Sequence, residues 1–145
     1  MVIADTGFWL ALANRRDEHH RDAVRALDAL GDERLIVTWP VMTETCYLLL
    51  DRIGPAAQAR FLASHAEGAF EIAEPQIHPP ERIVPLLEKY EALPMDLADA
   101  TLVLLAEWLG HGRILSVDRR DFGAYRWKDR RPFENLLAKR GRSKR

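Results

Sequence analysis

Five acidic residues stand where short apolar segments end or where apolar helices begin. Asp5 follows the apolar run VIA, Asp118 follows the run RILSV, and Asp121 comes three residues later. Glu44 and Asp99 lie in helical segments with mostly apolar neighbours three and four residues away. Clustered carboxylates repel one another unless a divalent cation joins them, and oxygen ligands without Cys or paired His suit Mg²⁺ or Mn²⁺. The chemistry of such a site is phosphoryl transfer to water.

Helix capping is the competing explanation for three of the acidic positions. Asp5 precedes a helix predicted from Gly7 and could be its N-cap, although Thr6 could serve equally well. Asp96 fits an N-cap with Asp99 three residues on, as in a capping box. Because an unpaired buried carboxylate is costly, we expect Asp5 and Asp99 to bind metal and Asp96 to be structural.

The two acids after the last apolar run are individually weaker candidates. Asp is common in turns at strand ends, so Asp118 or Asp121 alone would carry little information. Arg119 and Arg120 stand between them and could simply neutralise their charges. We therefore leave open which of the two completes the acidic set.

The elements that must position these acids alternate along the chain. Short continuous apolar runs predict strands over residues 2–5, 34–39, 70–73 and 113–117. Apolar periodicity and Gly/Pro breaks predict helices over residues 7–14, 19–30, 40–53, 55–67, 80–92 and 97–109. This alternation is typical of an α/β fold whose parallel sheet is covered by helices on both faces. Sites in such sheets lie beyond the carboxyl ends of the strands.

Composition sets the class of protein. The chain has 145 residues, of which 48 % are apolar and 30 % charged, as in one soluble globular domain. Cys46 is the single cysteine, which excludes a disulfide scaffold and a cysteine-rich zinc site. The apolar runs are too short to cross a bilayer, and the first residues do not resemble a signal peptide. We predict a cytoplasmic protein that does not bind membranes.

Charge is distributed unevenly along the chain. Residues 119–145 hold 11 basic and 3 acidic side chains, whereas residues 1–118 hold 10 basic and 19 acidic ones. An acidic body that collects cations and a basic end that touches a polyanion would explain this asymmetry. We predict one domain over residues 1–138 and a basic, flexible tail over residues 139–145.

Four segments together resemble the PIN-domain ribonucleases of the VapC toxin type. They are VIADTGFWLAL at the start, PVMTETCYLL, PMDLADATLVLLAE and ILSVDRRDF, in the order and spacing of that family. The resemblance implies a three-layer α/β/α sandwich with a short, mainly parallel central sheet. It also implies acidic ligands at Asp5, Glu44, Asp99 and Asp118, with Asp121 as a possible additional acid.

The resemblance further implies a function and partners. These are Mg²⁺-dependent endonucleolytic cleavage of RNA, with Mn²⁺ as a substitute, a homodimer, and inhibition by a cognate antitoxin. With RNA as the polyanion, we expect Arg119, Arg120 and Arg126 to position its phosphates and the tail to add weaker attraction. The alternative is a catalytically silent PIN-like module that binds RNA or protein, and the complete acidic set favours the enzyme.

Several aromatic and apolar residues are assigned to packing or to protein contacts. The four tryptophans at positions 9, 39, 108 and 127 are expected in the core or at an interface rather than in base stacking. Candidate exposed patches for dimer and antitoxin contacts are Phe61, Leu62, Phe70, Trp108 and Leu109.

Overall fold

The computed structural model describes residues 1–138. The predicted tail over residues 139–145 lies outside the described residues, so the tail and the domain boundary at 138 stay predictions.

Five short strands form one sheet in which all neighbouring pairs are parallel. They are β1 (Val2–Ala4), β2 (Leu35–Val37), β3 (Phe70–Ile72), β4 (Arg113–Leu115) and β7 (Glu134–Asn135). Their order across the sheet is β3-β2-β1-β4-β7. The side chains of β1 and β2 are buried throughout, which explains why these strands are continuous apolar runs in the sequence. The four predicted strands are confirmed, whereas β7 is too short and polar to be recognised.

Helices fill the connections between the strands. They are α1 (Thr6–Ala13), α2 (His20–Leu30), α3 (Trp39–Arg52), α4 (Pro55–Ala66), α5 (Pro80–Lys89), α6 (Leu97–Leu109) and α7 (Arg119–Ala124). The first four contact one another in the pairs α1–α2, α1–α3 and α3–α4, and α5 packs on α6. Crossovers between parallel strands are right-handed as a rule, so the reversal of direction across the sheet after β3 predicts α1–α4 on one face and α5–α6 on the other. The predicted α/β/α fold is thereby confirmed.

The strand order locates the region where a ligand can bind. The chain moves from β1 to β2 and β3 on one side, then returns to place β4 on the other side of β1. A crevice opens at such a reversal, beyond the carboxyl ends of the two strands that flank it. Asp5 directly follows β1, and Asp118 follows β4 by three residues. Gly7 keeps the two strand exits close, since a Cβ atom there would lie 2.2 Å from Cγ2 of Val117.

The segment after β4 contains structure that the sequence did not predict. Asp118 is the N-cap of α7, and its carboxylate accepts a hydrogen bond from the backbone N–H of Asp121. An antiparallel hairpin of β5 (Arg126–Trp127) and β6 (Arg131–Pro132) follows. Its turn places Lys128 and Asp129 in the left-handed region, at φ 48° and 67°. Such short elements leave no periodic signal in the sequence.

Burial corrects part of the aromatic assignment. Trp9 and Trp127 are buried, as expected, whereas the side chains of Trp39 and Trp108 are 50 % and 60 % exposed. Of the two predicted locations, the core does not apply to these two residues, and their location at an interface stays a prediction.

The predicted apolar patch is corrected in the same way. Phe61 and Phe70 are buried and stack on each other with ring centroids 5.2 Å apart, next to Trp9, because α4 packs over β3. Leu109 is partly buried against the core, so only Leu62 and Trp108 of the proposed patch are exposed.

Within residues 1–138, none of the helices has the length and apolar character that crossing a lipid bilayer requires.

Candidate active site

Asp5 is buried at the carboxyl end of β1 and is 7 % exposed. Its Oδ1 accepts a hydrogen bond of 2.8 Å from the backbone N–H of Thr6, and its Oδ2 accepts one of 2.9 Å from Oγ of Ser116. Both donors are neutral. Burial therefore raises the pKa of Asp5 to about 6, and the nearby charges of Glu44 and Asp118 add to the effect, although the two hydrogen bonds oppose it. Asp5 is therefore the N-cap of α1 and at the same time a member of the acidic site.

Glu44 reaches the same place from α3. Its Oε1 accepts a hydrogen bond of 2.7 Å from Oγ1 of Thr6, the residue whose backbone N–H binds Asp5. Thr6 thus links the two carboxylates through its two donors. Glu44 is half-buried, in agreement with its apolar neighbours in the sequence.

Ser116 makes the corresponding link on the β4 side. Its hydroxyl donates to Asp5 and accepts a hydrogen bond of 3.0 Å from the backbone N–H of Asp118. Burial raises the pKa of Asp118, and the adjacent Asp121 contributes to this shift. Asp121 is itself buried, and its Oδ1 accepts a hydrogen bond of 3.1 Å from Nε of Arg120. Ser116 thus contacts the carboxylate of Asp5 and the backbone N–H of Asp118, and the carboxylate of Asp118 in turn accepts a hydrogen bond from the backbone N–H of Asp121.

Asp99 enters from the first turn of α6. Its backbone N–H donates to Oδ1 of Asp96 at 2.9 Å, which confirms Asp96 as the N-cap of this helix. Its own Oδ2 accepts a hydrogen bond of 3.1 Å from the hydroxyl of Tyr125, whose side chain is fully buried. Burial, together with the charges of Asp96 and Asp5, raises the pKa of Asp99 to about 8. The carboxylate therefore lies in a region with a surplus of negative charge.

The three arginines expected to hold phosphates have different surroundings. Arg119 and Arg120 are exposed at the start of α7, and Arg120 pairs with Asp121. Arg126 donates from Nη1 to the backbone oxygens of Gly123, Ala124 and Tyr125, and so satisfies carbonyls at the end of α7. One edge of its guanidinium is thus engaged within the fold.

The donor set fits a small, hard divalent cation. In the described part of the chain, no three acidic, histidine or cysteine side chains converge closely enough to enclose one ion. Mg²⁺ does not require such a cage, because it usually keeps several waters and binds protein through one or two carboxylates. Asp5 and Asp99 offer oxygen ligands only, and burial, with a further contribution from neighbouring carboxylates, raises the pKa of both groups.

Sequence reasoning identified the acids but missed the hydroxyl groups that orient them. The sequence indicates Thr6 only as a possible helix cap and indicates no role for Ser116 or Tyr125. The position of Ser116 between the apolar strand and Asp118 was a usable signal. No sequence signal could have placed Tyr125 against Asp99, since 26 residues separate them and the contact depends on the fold.

Comparisons with known proteins agree on one family. A family model for the PIN domain matches residues 2–128. Ribonuclease VapC26 of Mycobacterium tuberculosis is 32 % identical over 125 residues, which cover 86 % of this chain and 92 % of that protein. The crystal structure of VapC20 of Mycobacterium tuberculosis, a sarcin–ricin loop cleaving toxin, superposes with a TM-score of 0.73 at 23 % identity. That match covers 83 % of this chain and 92 % of the VapC20 chain, and it shows a shared fold.

Proposed function

Because the chain belongs to the PIN-domain family, and within it to the VapC type, we propose that it is a divalent-metal-dependent endoribonuclease and the toxin of a toxin–antitoxin pair. The relatives support this function through what their names state, which is ribonuclease activity for VapC26 and cleavage of the sarcin–ricin loop for VapC20. The RNA that this chain cleaves need not be the same one.

One observation carries the proposal: three acids from separate elements are joined through two hydroxyl residues. Thr6 connects the carboxylates of Glu44 and Asp5, and Ser116 connects the carboxylate of Asp5 with the backbone N–H of Asp118. A protein that needed these carboxylates only for folding would be expected to pair them with cations or with solvent, because buried charge is costly. Their arrangement is better explained by a cation that comes from solution.

Asp5 and Asp99 are the residues proposed to hold Mg²⁺, or Mn²⁺ in its place. A cation held there would lower the pKa of a water molecule that it binds and would provide positive charge that stabilises the leaving oxygen. Glu44 and Asp118 flank Asp5 and would orient the attacking water. Tyr125 fixes the carboxylate of Asp99 through its 3.1 Å hydrogen bond.

Basic residues must attract the RNA that the acidic pocket repels. Arg119 and Arg120 are exposed next to Asp118 and are proposed to hold phosphates beside the reacting one. Arg126 is proposed to contribute through the edge of its guanidinium that does not bind α7. The basic residues of 139–145 would add attraction that does not depend on RNA sequence.

Exposed apolar side chains support protein partners. Tyr47, Leu50 and Leu62 lie along α3 and α4 and are 64 %, 43 % and 44 % exposed. They are proposed to contribute to a homodimer and to the contact with a cognate antitoxin, in the cytoplasm. We expect light scattering to give a dimer mass, and a monomer at tens of micromolar would contradict the homodimer.

The decisive experiment is purification of the chain alone, incubation with total RNA, and mapping of the new RNA ends. We expect cleavage with Mg²⁺ or Mn²⁺, no cleavage with excess chelator, and none by the variant Asp5→Ala. RNA binding without any cleavage under these conditions would favour a silent binding module. Cleavage at the wild-type rate by Asp5→Ala would contradict the assignment of Asp5 as a metal ligand.

A further inference from the structure

A largely apolar cavity of about 530 Å³ opens beside the acidic site, between the start of α3 and the start of α6. Its volume is in the range of pockets that bind small organic groups. Glu44 forms part of its wall and at the same time binds Thr6 in the acidic site. The residues that matter here are Trp39, Glu44, His78, Asp96 and Leu97. The cavity therefore adjoins the acidic site and shares Glu44 with it.

Trp39 is the largest side chain on the cavity wall. It is the first residue of α3, and half of its surface is exposed. Leu97, on the opposite side at the first turn of α6, is also half exposed. Large apolar surfaces that face a cavity rather than the core are typical of binding sites.

We infer that this cavity binds a nucleobase of the RNA strand, next to the phosphate that is cleaved, with the base stacked on Trp39. The inference rests on the proposed function, since it assigns a subsite to the same substrate. Consecutive nucleotides are covalently joined, so a phosphate bound at the cation that Asp5 and Asp99 are proposed to hold would bring a neighbouring base to the wall that Glu44 shares. Proteins that read single-stranded RNA commonly receive splayed bases on aromatic side chains in this way.

The polar groups around the cavity favour a base over an apolar peptide segment. Glu44 and Asp96 line the cavity, and each has one carboxylate oxygen beyond the oxygen that binds Thr6 or the N–H of Asp99, so each can accept a hydrogen bond from an amino or ring N–H group of a base. An apolar side chain in the same place would remove water from these carboxylates without replacing its hydrogen bonds. His78 adds a second ring to the wall, and its Nε2 is buried without a hydrogen-bond partner in the described residues.

The inference is tested by RNA binding in the non-cleaving background Asp99→Asn, measured by fluorescence anisotropy with single-stranded oligonucleotides. Trp39→Ala and Trp39→Leu should each weaken binding by roughly 10-fold, because stacking on an aromatic face is lost. Trp39→Phe keeps a stacking surface and should bind within about threefold of Trp39. The Leu variant separates stacking from simple apolar contact, and circular dichroism checks that each variant is folded.

Two further variants keep this result specific. Trp108→Ala removes an exposed indole from the far end of α6 and should bind RNA within about twofold of the background protein. Tyr47→Ala represents the alternative, because Tyr47 belongs to the surface proposed for protein contacts. If Trp39→Ala loses the dimer in light scattering as Tyr47→Ala does, and RNA binding falls equally in both variants, this face is a protein interface and the inference is overturned.

The most specific version of this experiment uses an RNA in which the position of the cleaved bond has been mapped. Removing the base on one side of that bond should weaken binding to the Trp39 protein by roughly 10-fold and leave binding to Trp39→Ala nearly unchanged, as expected for two groups that contact each other. Additive losses at both neighbouring positions would overturn the inference. If the wild-type chain cleaves no RNA at all, the proposed function fails instead, and the two failures remain distinct.

Discussion

Two carboxylates at opposite edges of the same sheet are treated in opposite ways. Glu33 precedes β2 at the amino edge, and both of its oxygens accept hydrogen bonds from the guanidinium of Arg113, at 3.1 Å for the Nη2–Oε1 pair. This pairing lowers the pKa of Glu33. Asp5 follows β1 at the carboxyl edge, its donors are neutral, and its pKa is raised to about 6.

The difference shows that the fold pairs a carboxylate with a positively charged side chain where the carboxylate supports structure. Where several carboxylates lie close together, the fold leaves them without such a partner. Strand β4 carries Arg113 at its start, and Asp118 follows its end, so one strand contributes to both arrangements. Arg119 and Arg120 are close in sequence to Asp118, and Arg120 pairs with Asp121 rather than with Asp5. The unpaired carboxylates are expected to lower the free energy of unfolding and to allow metal binding.

Removing a carboxylate from the carboxyl edge should produce the largest effect. Asp99→Asn is expected to reduce RNA cleavage by at least about 10³-fold, because residues that act as one catalytic unit fail together. For the same reason, Asp5→Asn added to Asp99→Asn should cause little further loss. Cleavage rates at saturating Mg²⁺ measure both effects, and Glu33→Gln is the control that should cleave at the wild-type rate. Wild-type cleavage by Asp99→Asn would contradict the assignment of this ligand.

Replacing a carboxylate of the acidic site by its amide should raise stability, although it lowers RNA cleavage. Without metal at pH 7.5, Asp5→Asn is expected to raise the free energy of unfolding by about 1–3 kcal/mol, since a native pKa two units above the ordinary value of 3.8 costs up to about 3 kcal/mol when the group is charged. Denaturant titration measures the change. Adding Mg²⁺ should stabilise the wild-type protein more than the variant. A variant less stable than wild type in metal-free buffer would indicate that the carboxylate is structural.

The pH dependence of unfolding should report the acidic cluster. The native state holds a proton on Asp5 up to about pH 6 and on Asp99 up to about pH 8, whereas the unfolded chain releases both near pH 3.8. Stability without metal should therefore fall as pH rises from about 4 to about 8, and it should level off above that range. Melting temperatures between pH 5 and 9 test this, and Asp99→Asn should remove the part of the slope above about pH 6. A stability that rises with pH across this window would contradict the raised pKa values.

Much of the fold could be predicted from the sequence because strands buried on both faces leave a strong signal. β1 and β2 are continuous apolar runs, and Gly54-Pro55 marks the break between α3 and α4. Asp5 and Asp118 could be placed at one edge because carboxyl ends of parallel strands share that edge. The elements that follow Asp118 could not be predicted, because α7 has six residues and the strands after it have two each.

The orienting contacts and the exposed aromatic residues required the structure. Thr6 and Ser116 act through hydrogen bonds between separate elements, and local sequence does not specify such pairs. Trp39 resembles a core residue in the sequence, since it ends an apolar run before Pro40. Its exposure follows from its position at the start of α3, beside a cavity that only the packing of α3 and α6 creates.

Breaking the ion pair at the amino edge should have the smallest effect and should complete the comparison. Glu33→Gln is expected to lower the free energy of unfolding by about 0.5 kcal/mol or less, because both side chains of the pair remain about one-third exposed and water screens their attraction. The pKa of Glu33 is lowered in the native state, so its contribution is present above the ordinary value of 4.5 and is lost as pH falls through the native pKa. The stability difference between wild type and Glu33→Gln should thus stay constant above about pH 5 and disappear in acid, the reverse of the behaviour expected for Asp5. Denaturant titrations at pH 3 and pH 7 separate the two cases, and a difference that grows toward acid would show that the Glu33–Arg113 pair does not stabilise the native sheet.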